Sequence, residues 1–339
     1  MGETLAKLYL DPKLYSSEDI FSPPAERRPH VIRFELTTGC NWKRCTYCTG
    51  YEGIPYREKS LAEYQDHVDE VFNRLDAPSV LSRIFIGGGD ALAVETDKLN
   101  KAIKYTSSAY SSRAYHFGKK PPRRIAVYGS TRSINKQGIN GLSDLNFLTG
   151  AGGELDLIYW GVESGSSEVL KYVRKGCLKE DILSAAEKLN IVDLQTSVMI
   201  MPGLGGMKFY DQHVSDTAEV LRDIQPRFLT FMGVNAAKNS VYAQKMNQEV
   251  AEGTNRPLTD RELVEQIADI LDLAMFIKTT KVGYFGPDID QVSHNPNPFG
   301  SIPIGLNGYR QERVVNYIRD QAKKLQERKQ RPRYFILWF

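Results

Sequence analysis

The sequence predicts an α/β protein built around a parallel β-sheet. Short runs of β-branched and aromatic residues alternate with longer segments of helical period. This alternation of strand and helix is typical of a parallel sheet, because each helix returns the chain to the same end of the sheet. Six strand–helix units in about 200 residues favour a partial (β/α)6 TIM-like barrel over a closed barrel of eight units.

Each predicted strand is a short run rich in β-branched or aromatic residues. The six runs are VIRFEL (31–36), RIFIG (83–87), RIAVYG (124–129), DLIYWGV (156–162), TSVMIM (196–201) and RFLTFMG (227–233). Helical period predicts helices near 58–75, 95–112, 134–148, 166–175, 179–190 and 210–224. After the sixth unit we expect an amphipathic helix at 259–279 and a basic helix at 309–329.

The C-terminal part of the sequence predicts an extension of the barrel. Residues 283–308 are rich in Gly, Pro and Asn and predict a long loop, which is a candidate lid. The last six residues, YFILWF (334–339), are large and apolar, so we expect them to pack on the barrel. The predicted domains are an N-terminal extension (1–29), the barrel (30–235), and C-terminal helices, lid loop and apolar tail (236–339).

The composition is that of an ordinary globular protein, with 41% hydrophobic and 25% charged residues. The net charge of +3 is too small to indicate nucleic-acid binding by itself. No stretch approaches the roughly 18–20 apolar residues of a membrane span, and the N-terminal segment lacks the apolar core of a signal peptide. Four unevenly spaced cysteines do not resemble a disulfide framework, so we expect a cytoplasmic, reducing setting.

Three of the four cysteines lie within nine residues, at Cys40, Cys45 and Cys48. Their loop follows the first predicted strand, at the carboxyl end where parallel α/β proteins place their active sites. The spacing C-x4-C-x2-C lets three thiolates converge on one metal centre. By itself it leaves three interpretations: inert buried cysteines, a zinc site with a distant fourth ligand, or an iron–sulfur cluster with one open iron.

Other predicted strand ends carry glycine-rich or charged segments. IGGGDAL (86–92) and MPGLGG (201–206) let the backbone approach a ligand closely, although tight turns would explain them as well. Glu163 ends the fourth predicted strand, where an unpaired carboxylate would be costly. It should therefore meet a cation, and Arg174 and Lys175 follow about one helix later. A structural ion pair would explain the same residues.

Together these segments resemble the radical S-adenosylmethionine (radical SAM) superfamily. The matching segments lie in the family's order within roughly residues 30–235: GCNWKRCTYC (39–48), GGGDAL (87–92), GVESGS (161–166) with KG (175–176), and MPGLGG (201–206). Within the superfamily the chain is most similar to a group near the coproporphyrinogen-oxidase-like and Elongator-type enzymes, and HVSDTA (213–218) fits that group. The family's most frequent cysteine spacing is C-x3-C-x2-C, so this loop has one extra residue.

The resemblance implies two cofactors and their ligands. A [4Fe–4S] cluster would be held by the three loop thiolates of Cys40, Cys45 and Cys48. S-adenosylmethionine (SAM) would chelate the open iron with its methionyl amino and carboxylate groups. The family's segment that binds this amino group is matched here by Gly88, Gly89 and Asp90. The aspartate replaces a glutamate, which keeps the charge and shortens the reach.

The resemblance also implies further contacts to SAM. Glu163 stands where relatives place a polar SAM-binding residue, and Lys175 matches a basic position that pairs with the SAM carboxylate. Ser130 would meet the ribose or the methionine moiety. The adenine would lie against three more residues, Tyr47 (through its backbone), Met201 and Gly203.

The activity implied by the resemblance is reductive cleavage of SAM to a 5′-deoxyadenosyl radical that abstracts hydrogen from a small-molecule or peptide substrate. An electron donor such as flavodoxin or ferredoxin would supply the electron. A radical SAM enzyme that modifies RNA is an alternative, raised by the basic stretch 319–333 and weakened by the acids within it, so nucleic acid is disfavoured. A non-enzymatic zinc or iron–sulfur binding module is the other alternative, and we expect no membrane partner.

Two further features are candidate contacts to a substrate. YEGIPYR (51–57) follows the cysteine loop directly and could shield a cluster or line a substrate cavity. His213 and His294 could act as acid–base groups, although ordinary histidines would explain both.

Overall fold

The structure is a computed structural model of the 339-residue chain. It describes residues 8–9, 11–16, 23, 26, 31–75, 82–115, 122–146, 155–234, 236–278, 280–285 and 309–327. The chain divides into two compact units. The first comprises Met1–Lys43, Gly50–Trp160 and Lys188–Gln195, and the second comprises Arg44–Thr49, Gly161–Glu187 and Thr196–Phe339. The domain division predicted from the sequence stays a prediction.

Seven strands in the described part of the chain form one sheet, in which they follow one another in chain order. They are β1 (Val31–Glu35), β2 (Arg83–Gly87), β3 (Arg124–Gly129), β4 (Leu157–Glu163), β5 (Gln195–Ile200), β6 (Phe228–Met232) and β7 (Lys281–Phe285). In the first unit β1 pairs with β2, β2 with β3 and β3 with β4, all in parallel. In the second unit β5 pairs with β6 and β6 with β7, also in parallel. The six predicted strands are all present, and the predicted parallel α/β fold class is confirmed.

At least one helix follows each of the first six strands. The helices described are α1 (Leu61–Asn73), α2 (Thr96–Tyr115), α3 (Thr131–Asn146), α4 (Ser167–Tyr172), α5 (Lys179–Ile191), α6 (Tyr210–Ile224), α7 (Val241–Ala251), α8 (Asp260–Leu273) and α9 (Tyr309–Glu327). This connectivity is that of the predicted partial TIM-like barrel with a helical extension.

The strands are continuous apolar runs because their side chains are covered on both sides. All five residues of β1 are buried, and Ile84, Phe85 and Ile86 of β2 are inaccessible to solvent. Parallel strands buried on both faces have this pattern. Helix starts are set by capping: Ser60 accepts from the Glu63 amide and the Glu63 side chain accepts from the Ser60 amide, which satisfies donors that the first turn leaves unpaired.

Three details of the C-terminal part differ from the prediction. Strand β7 (Lys281–Phe285) covers the beginning of the segment predicted as a loop. Helix α7 was not predicted, and only Tyr242 and Met246 are buried in it. Helix α8 ends six residues early, because Met275 adopts a left-handed backbone with φ 41° that cannot continue a helix. The remainder of the candidate lid, His294 and the apolar tail 334–339 lie outside the described residues.

Candidate functional site

The cysteine loop leaves β1 and packs in the first unit on two glycines that follow β2. The Gly89 amide donates to the Gly39 carbonyl at 3.0 Å. A Cβ on Gly89 would lie 2.2 Å from that carbonyl oxygen and 2.7 Å from the Cα of Cys40. A Cβ on Gly88, where φ is +116°, would lie 2.0 Å from Thr37 Oγ1. These glycines are therefore required for the close packing of the backbone just before the first cysteine.

The segment after the cysteines folds back onto the same backbone. The short strand Thr37–Thr38 pairs antiparallel with Arg57–Glu58. Thr38 Oγ1 also donates to the Pro55 carbonyl at 2.9 Å. In the first unit, YEGIPYR is thus held against the residues that immediately precede Cys40.

Tyr56 is the residue of this segment that lies near the predicted ligands. Its hydroxyl donates to Glu58 Oε1 at 2.8 Å, and its ring is half-buried. Burial raises the pKa of Tyr56, the hydrogen bond to Glu58 raises it further, and the nearby charges of Asp90 and Cys40 act in the same direction. The phenol is therefore neutral and offers a hydroxyl beside these two groups.

Asp90 is a buried carboxylate with one oxygen unsatisfied. Its side chain is 2% exposed, and Ser130 Oγ donates to its Oδ2 at 2.7 Å. Its Oδ1 is buried and has no hydrogen-bond partner among the residues that the structure describes. Burial raises the pKa of Asp90, while hydrogen bonds from Ser130 and Ser133 oppose the shift. A buried anionic oxygen without a partner is costly, so this position fits an incoming ammonium group.

The second half of the cysteine loop, residues 44–49, is held within the second unit. The Thr46 amide donates to the Val173 carbonyl at 3.0 Å, and the Thr46 carbonyl accepts from the Tyr242 amide at 3.0 Å. The Cys48 amide donates to the Cys45 carbonyl at 3.2 Å, which closes a turn between the two cysteines. The ends of α4 and α7 therefore fix the backbone of this half of the loop.

Glu163 and Lys175 meet at the carboxyl end of β4. Lys175 Nζ donates to Glu163 Oε1 at 2.9 Å. The side chain of Glu163 is 12% exposed and that of Lys175 is 14% exposed. The same ammonium donates to the Tyr47 hydroxyl at 3.4 Å. Burial is the largest single influence and opposes the charge of Lys175, but the Glu163 carboxylate, together with smaller contributions from Tyr47 and Cys45, holds the pKa of Lys175 well above its usual value. The expectation that Glu163 meets a cation is confirmed.

The backbone at Glu163 is strained. Its φ is 65°, and the Ser164 amide donates to the Val162 carbonyl at 2.8 Å, which closes a γ-turn around it. The γ-turn with positive φ is rare and strained in L-residues. The turn folds the carboxylate back over β4, where a Cβ on Gly161 would lie 2.6 Å from Glu163 Oε1. Glycine at this position therefore leaves room for the ion pair.

The glycine-rich turn after β5 packs in the second unit. The Met201 amide donates to the Glu163 carbonyl at 2.9 Å. Gly203 has φ +80°, and its amide donates to Gln266 Oε1 at 2.8 Å. Tyr47 and Met201 are both partly buried against one apolar cluster, which is formed by Val169, Val173, Leu204, Tyr242 and Met246. The turn thus begins at a methionine whose amide is bonded to the Glu163 turn.

The three loop cysteines form no disulfide within the part of the chain that the structure describes, and all three are at least partly accessible. Cys40 and Cys45 are half-buried and Cys48 is exposed, whereas Cys177 is buried. Over the ranges that the structure describes, no three His, Cys, Asp or Glu side chains are grouped as a metal-ion site. Thiolates are the protein ligands of iron–sulfur clusters, and a buried carboxylate oxygen without a partner among the described residues can accept a hydrogen bond from an ammonium group. The residue types present are therefore those that a cluster and an amino-acid ligand require.

A family comparison decides between the interpretations that the sequence leaves open. The model of the Radical SAM superfamily matches residues 34–221, which is more than half of the chain. The chain belongs to the radical SAM superfamily. The matched range includes the whole cysteine loop and all the strand-end residues described above. Members of this superfamily are enzymes that carry out SAM-dependent radical chemistry, and their cofactors are SAM and a [4Fe–4S] cluster.

Two solved structures that are similar to this radical SAM chain come from an archaeon and from Kitasatospora setae. The archaeal Methanocaldococcus infernus Elp3 with an N-terminal deletion is 15% identical, with 86% of this chain and 63% of that chain covered and a TM-score of 0.48. TsrM from Kitasatospora setae, a radical SAM methyltransferase with cobalamin and a [4Fe–4S] cluster bound, is 11% identical, with 88% and 62% covered and a TM-score of 0.49. The chain spans less than two thirds of the length of these structures. No curated protein has a significant sequence match to it.

The two units each bring together part of the predicted radical SAM site. The first unit groups the glycine turn with the aspartate and its serine partner, namely Gly88, Gly89, Asp90 and Ser130. The second unit groups the ion pair with the aromatic and glycine-turn residues, namely Tyr47, Glu163, Lys175, Met201 and Gly203. Among the described helices, none has the length and apolar character needed to cross a bilayer.

Sequence reasoning missed two residues that support this radical SAM site. Tyr242 anchors the cysteine loop through its backbone and donates from its hydroxyl to the Gly203 carbonyl at 3.4 Å. Gln266 is 1% exposed and accepts from the Gly203 amide. The signal for Gln266 was an amide on the apolar face of the predicted helix 259–279. Nothing in the sequence pattern pointed to Tyr242.

Proposed function

We propose that this radical SAM enzyme binds a [4Fe–4S] cluster through Cys40, Cys45 and Cys48 and cleaves SAM reductively. The resulting 5′-deoxyadenosyl radical abstracts hydrogen from a small-molecule or peptide substrate. The observation that carries the proposal is Asp90 Oδ1, a buried carboxylate oxygen with no partner in the described part of the chain. Asp90 follows directly on the glycines that pack under the cysteine loop. It supports binding of the methionyl ammonium of SAM at this place.

The chain's own residues bind and orient the cofactor in this proposal. Asp90 accepts a hydrogen bond from the methionyl ammonium while Ser130 keeps its other oxygen occupied. Lys175 stays protonated because Glu163 stabilises its charge, so it can pair with the carboxylate of SAM. Burial raises the pKa of Tyr47, so its phenol stays protonated and uncharged.

The proposed substrate is a small molecule or a peptide, and the proposed electron donor is a protein such as flavodoxin or ferredoxin. Partly accessible cysteines that form no disulfide among the described residues support a reducing, cytoplasmic setting, in accordance with the cysteine usage. RNA is a weaker candidate, because the described part of the basic C-terminal helix has its charge partly engaged. Arg319 pairs with Asp269 at 3.3 Å and with Asp272 at 2.9 Å.

The proposal is tested by SAM cleavage in anaerobically reconstituted protein with a strong reductant and no substrate. We expect slow formation of methionine and 5′-deoxyadenosine. Single Cys40→Ala, Cys45→Ala and Cys48→Ala changes should abolish it, because loss of one thiolate destabilises the cluster. The matched control is Cys177→Ala, which removes a buried cysteine outside the loop and should leave cleavage largely intact. Deoxyadenosine formation that persists in the Cys45→Ala protein would overturn the proposal.

A further inference from the structure

Helix α6 is hydrogen-bonded to the turn that follows β4. The Nδ1 atom of His213 lies 2.7 Å from Ser164 Oγ, and both residues are completely buried. The Ser166 amide donates to the same hydroxyl at 3.1 Å. Ser164 is the residue directly after Glu163, and its amide closes the strained γ-turn. Its side chain is therefore held from two sides at the point where the backbone strain is located.

A second contact from the same helix fixes the next residue of the turn. The Gly165 amide donates to Thr217 Oγ1 at 2.9 Å. A Cβ on Gly165 would lie 2.2 Å from the Asp216 carbonyl oxygen and 2.7 Å from the Cα of Thr217. The helix backbone thus lies directly against the turn.

Helix α6 is also held by ion pairs close to these contacts. Lys179 Nζ, on the first turn of α5, pairs with Asp216 at 2.9 Å and with Glu219 at 2.6 Å. One turn before Asp216, His213 is inaccessible to solvent. These ion pairs and the burial of His213 therefore hold helix α6 in place where it contacts the turn.

We propose that His213, acting through Ser164, is a positioning residue that holds Glu163 in the left-handed turn needed to bind SAM. The inference rests on the proposed function, in which Glu163 keeps Lys175 charged and Lys175 pairs with the carboxylate of SAM. A strained residue keeps its conformation only where surrounding contacts determine it. The contacts that do so here are the Ser164 hydroxyl between His213 and Ser166, the Gly165 amide on Thr217, and the Met201 amide on the Glu163 carbonyl.

The chemistry of His213 fits positioning and not proton transfer. Burial lowers its pKa to about 4, so the ring is neutral at ordinary pH. Its Nε2 is buried and has no hydrogen-bond partner among the described residues. A histidine that exchanges protons with a substrate needs a path to it, whereas this ring is closed off and bonded to a serine. The acid–base role that the sequence left open for His213 is not supported.

The test measures SAM affinity of the reconstituted holoprotein by the change that SAM causes in the electron paramagnetic resonance signal of the reduced cluster. His213→Leu and Ser164→Ala each remove the contact and should weaken SAM binding by about tenfold, the effect of one lost hydrogen bond of about 1.4 kcal/mol. His213→Asn places an amide oxygen near the Nδ1 position and should restore affinity. Leu221→Ala, a buried apolar change on the same helix, lowers stability without touching the turn and should leave affinity unchanged.

The same changes in a Glu163→Ala background separate the two proposals. If Glu163→Ala alone leaves SAM binding unchanged, the assigned role of Glu163 fails, and the positioning role fails with it. If Glu163→Ala weakens binding and His213→Leu adds nothing further in that background, the positioning role is supported. The positioning role would be contradicted if His213→Leu lowered only the melting temperature. It would also be contradicted if His213→Leu weakened SAM binding equally with and without Glu163.

Discussion

The ammonium of Lys175 and the carboxylate of Glu163 form an ion pair at 2.9 Å that water barely reaches. The pair joins the end of β4 to the residues just after α4, within the second unit. Because both charges are desolvated, each depends on the other for compensation. Removal of either partner would therefore leave the other charge buried and uncompensated.

Removing Lys175 should be strongly destabilising. In the apo-protein, Lys175→Met strands a buried carboxylate, and the unfolding free energy should fall by about 3–5 kcal/mol. The measurement is urea denaturation at pH 7. The matched control is Lys136→Met, which breaks an ion pair to Glu95 whose side chains are 52% and 77% exposed, and it should change stability little. Similar losses for both variants would contradict the prediction.

Asp90 should affect SAM binding and not cluster assembly. Asp90→Asn keeps a hydrogen-bond acceptor for Ser130 but removes the charge, so it should weaken SAM binding while iron content stays near normal. Iron analysis and SAM titration of the reconstituted protein are the measurements. Asp97→Asn, at a side chain that is 80% exposed, is the control. Joint loss of iron and SAM would show that Asp90 maintains the loop instead.

The glycine under the cysteine loop should be needed for cluster assembly. Gly89→Ala forces a methyl group against the Gly39 carbonyl and the Cys40 backbone, so less iron should be incorporated on reconstitution. Gly53→Ala is a control in the following segment: its φ is +75°, but no atom lies within 4 Å of the added Cβ. That variant should lose some stability through backbone strain and keep its iron. Normal iron content in the Gly89→Ala protein would refute the packing argument.

The stability of the apo-protein should fall between pH 6.5 and pH 4. Burial lowers the pKa of His213 from 6.5 to about 4 and that of His67 from 6.5 to about 3. In this window the unfolded chain binds a proton at each site and the native chain does not. The contribution of each histidine is complete above pH 6.5, and about 1.4 kcal/mol is lost per pH unit on going down.

A variant isolates the histidine component of that pH dependence. His213→Asn removes one titrating group and keeps an acceptor for Ser164, so the slope of unfolding free energy against pH should be shallower by about one proton between pH 6.5 and pH 4. Urea denaturation at several pH values gives the slope. An unchanged slope would mean that His213 takes up its proton at the same pH in the native and the unfolded chain, which would contradict the prediction.

The first six strands could be predicted because each is a continuous β-branched or aromatic run. Strand β7 (KVGYF) could not, because Gly283 interrupts a five-residue run that leads into a Gly- and Pro-rich stretch. Helix α7 was missed because only Tyr242 and Met246 face the core, too few for a visible period. Short elements with few buried residues depend on tertiary contacts that a single sequence does not reveal.

For the site, the sequence located the positions and left their geometry open. A cation was expected opposite Glu163, but the choice between Arg174 and Lys175 depends on the backbone. Arg174 has φ 55° at the end of the α4 segment and is exposed. Lys175, the next residue, is the one that bonds to Glu163. Gly88 and Gly89 were interpreted as room for a ligand, whereas they also make room for the chain's own cysteine loop. Such close approaches follow from the folded structure alone.

The two ends of the cysteine loop are each anchored by a backbone hydrogen bond, with partners in different units. Gly39 is bonded to Gly89 in the first unit, and Thr46 is bonded to Val173 in the second. The stretch between these anchors contains the residue by which C-x4-C exceeds the common spacing, and Lys43 in it adopts φ 49°. Because both anchors are backbone hydrogen bonds, neither depends on the side chains of the stretch between them. A Gly or Asn at position 43 would therefore reduce the strain of the positive φ without changing either anchor.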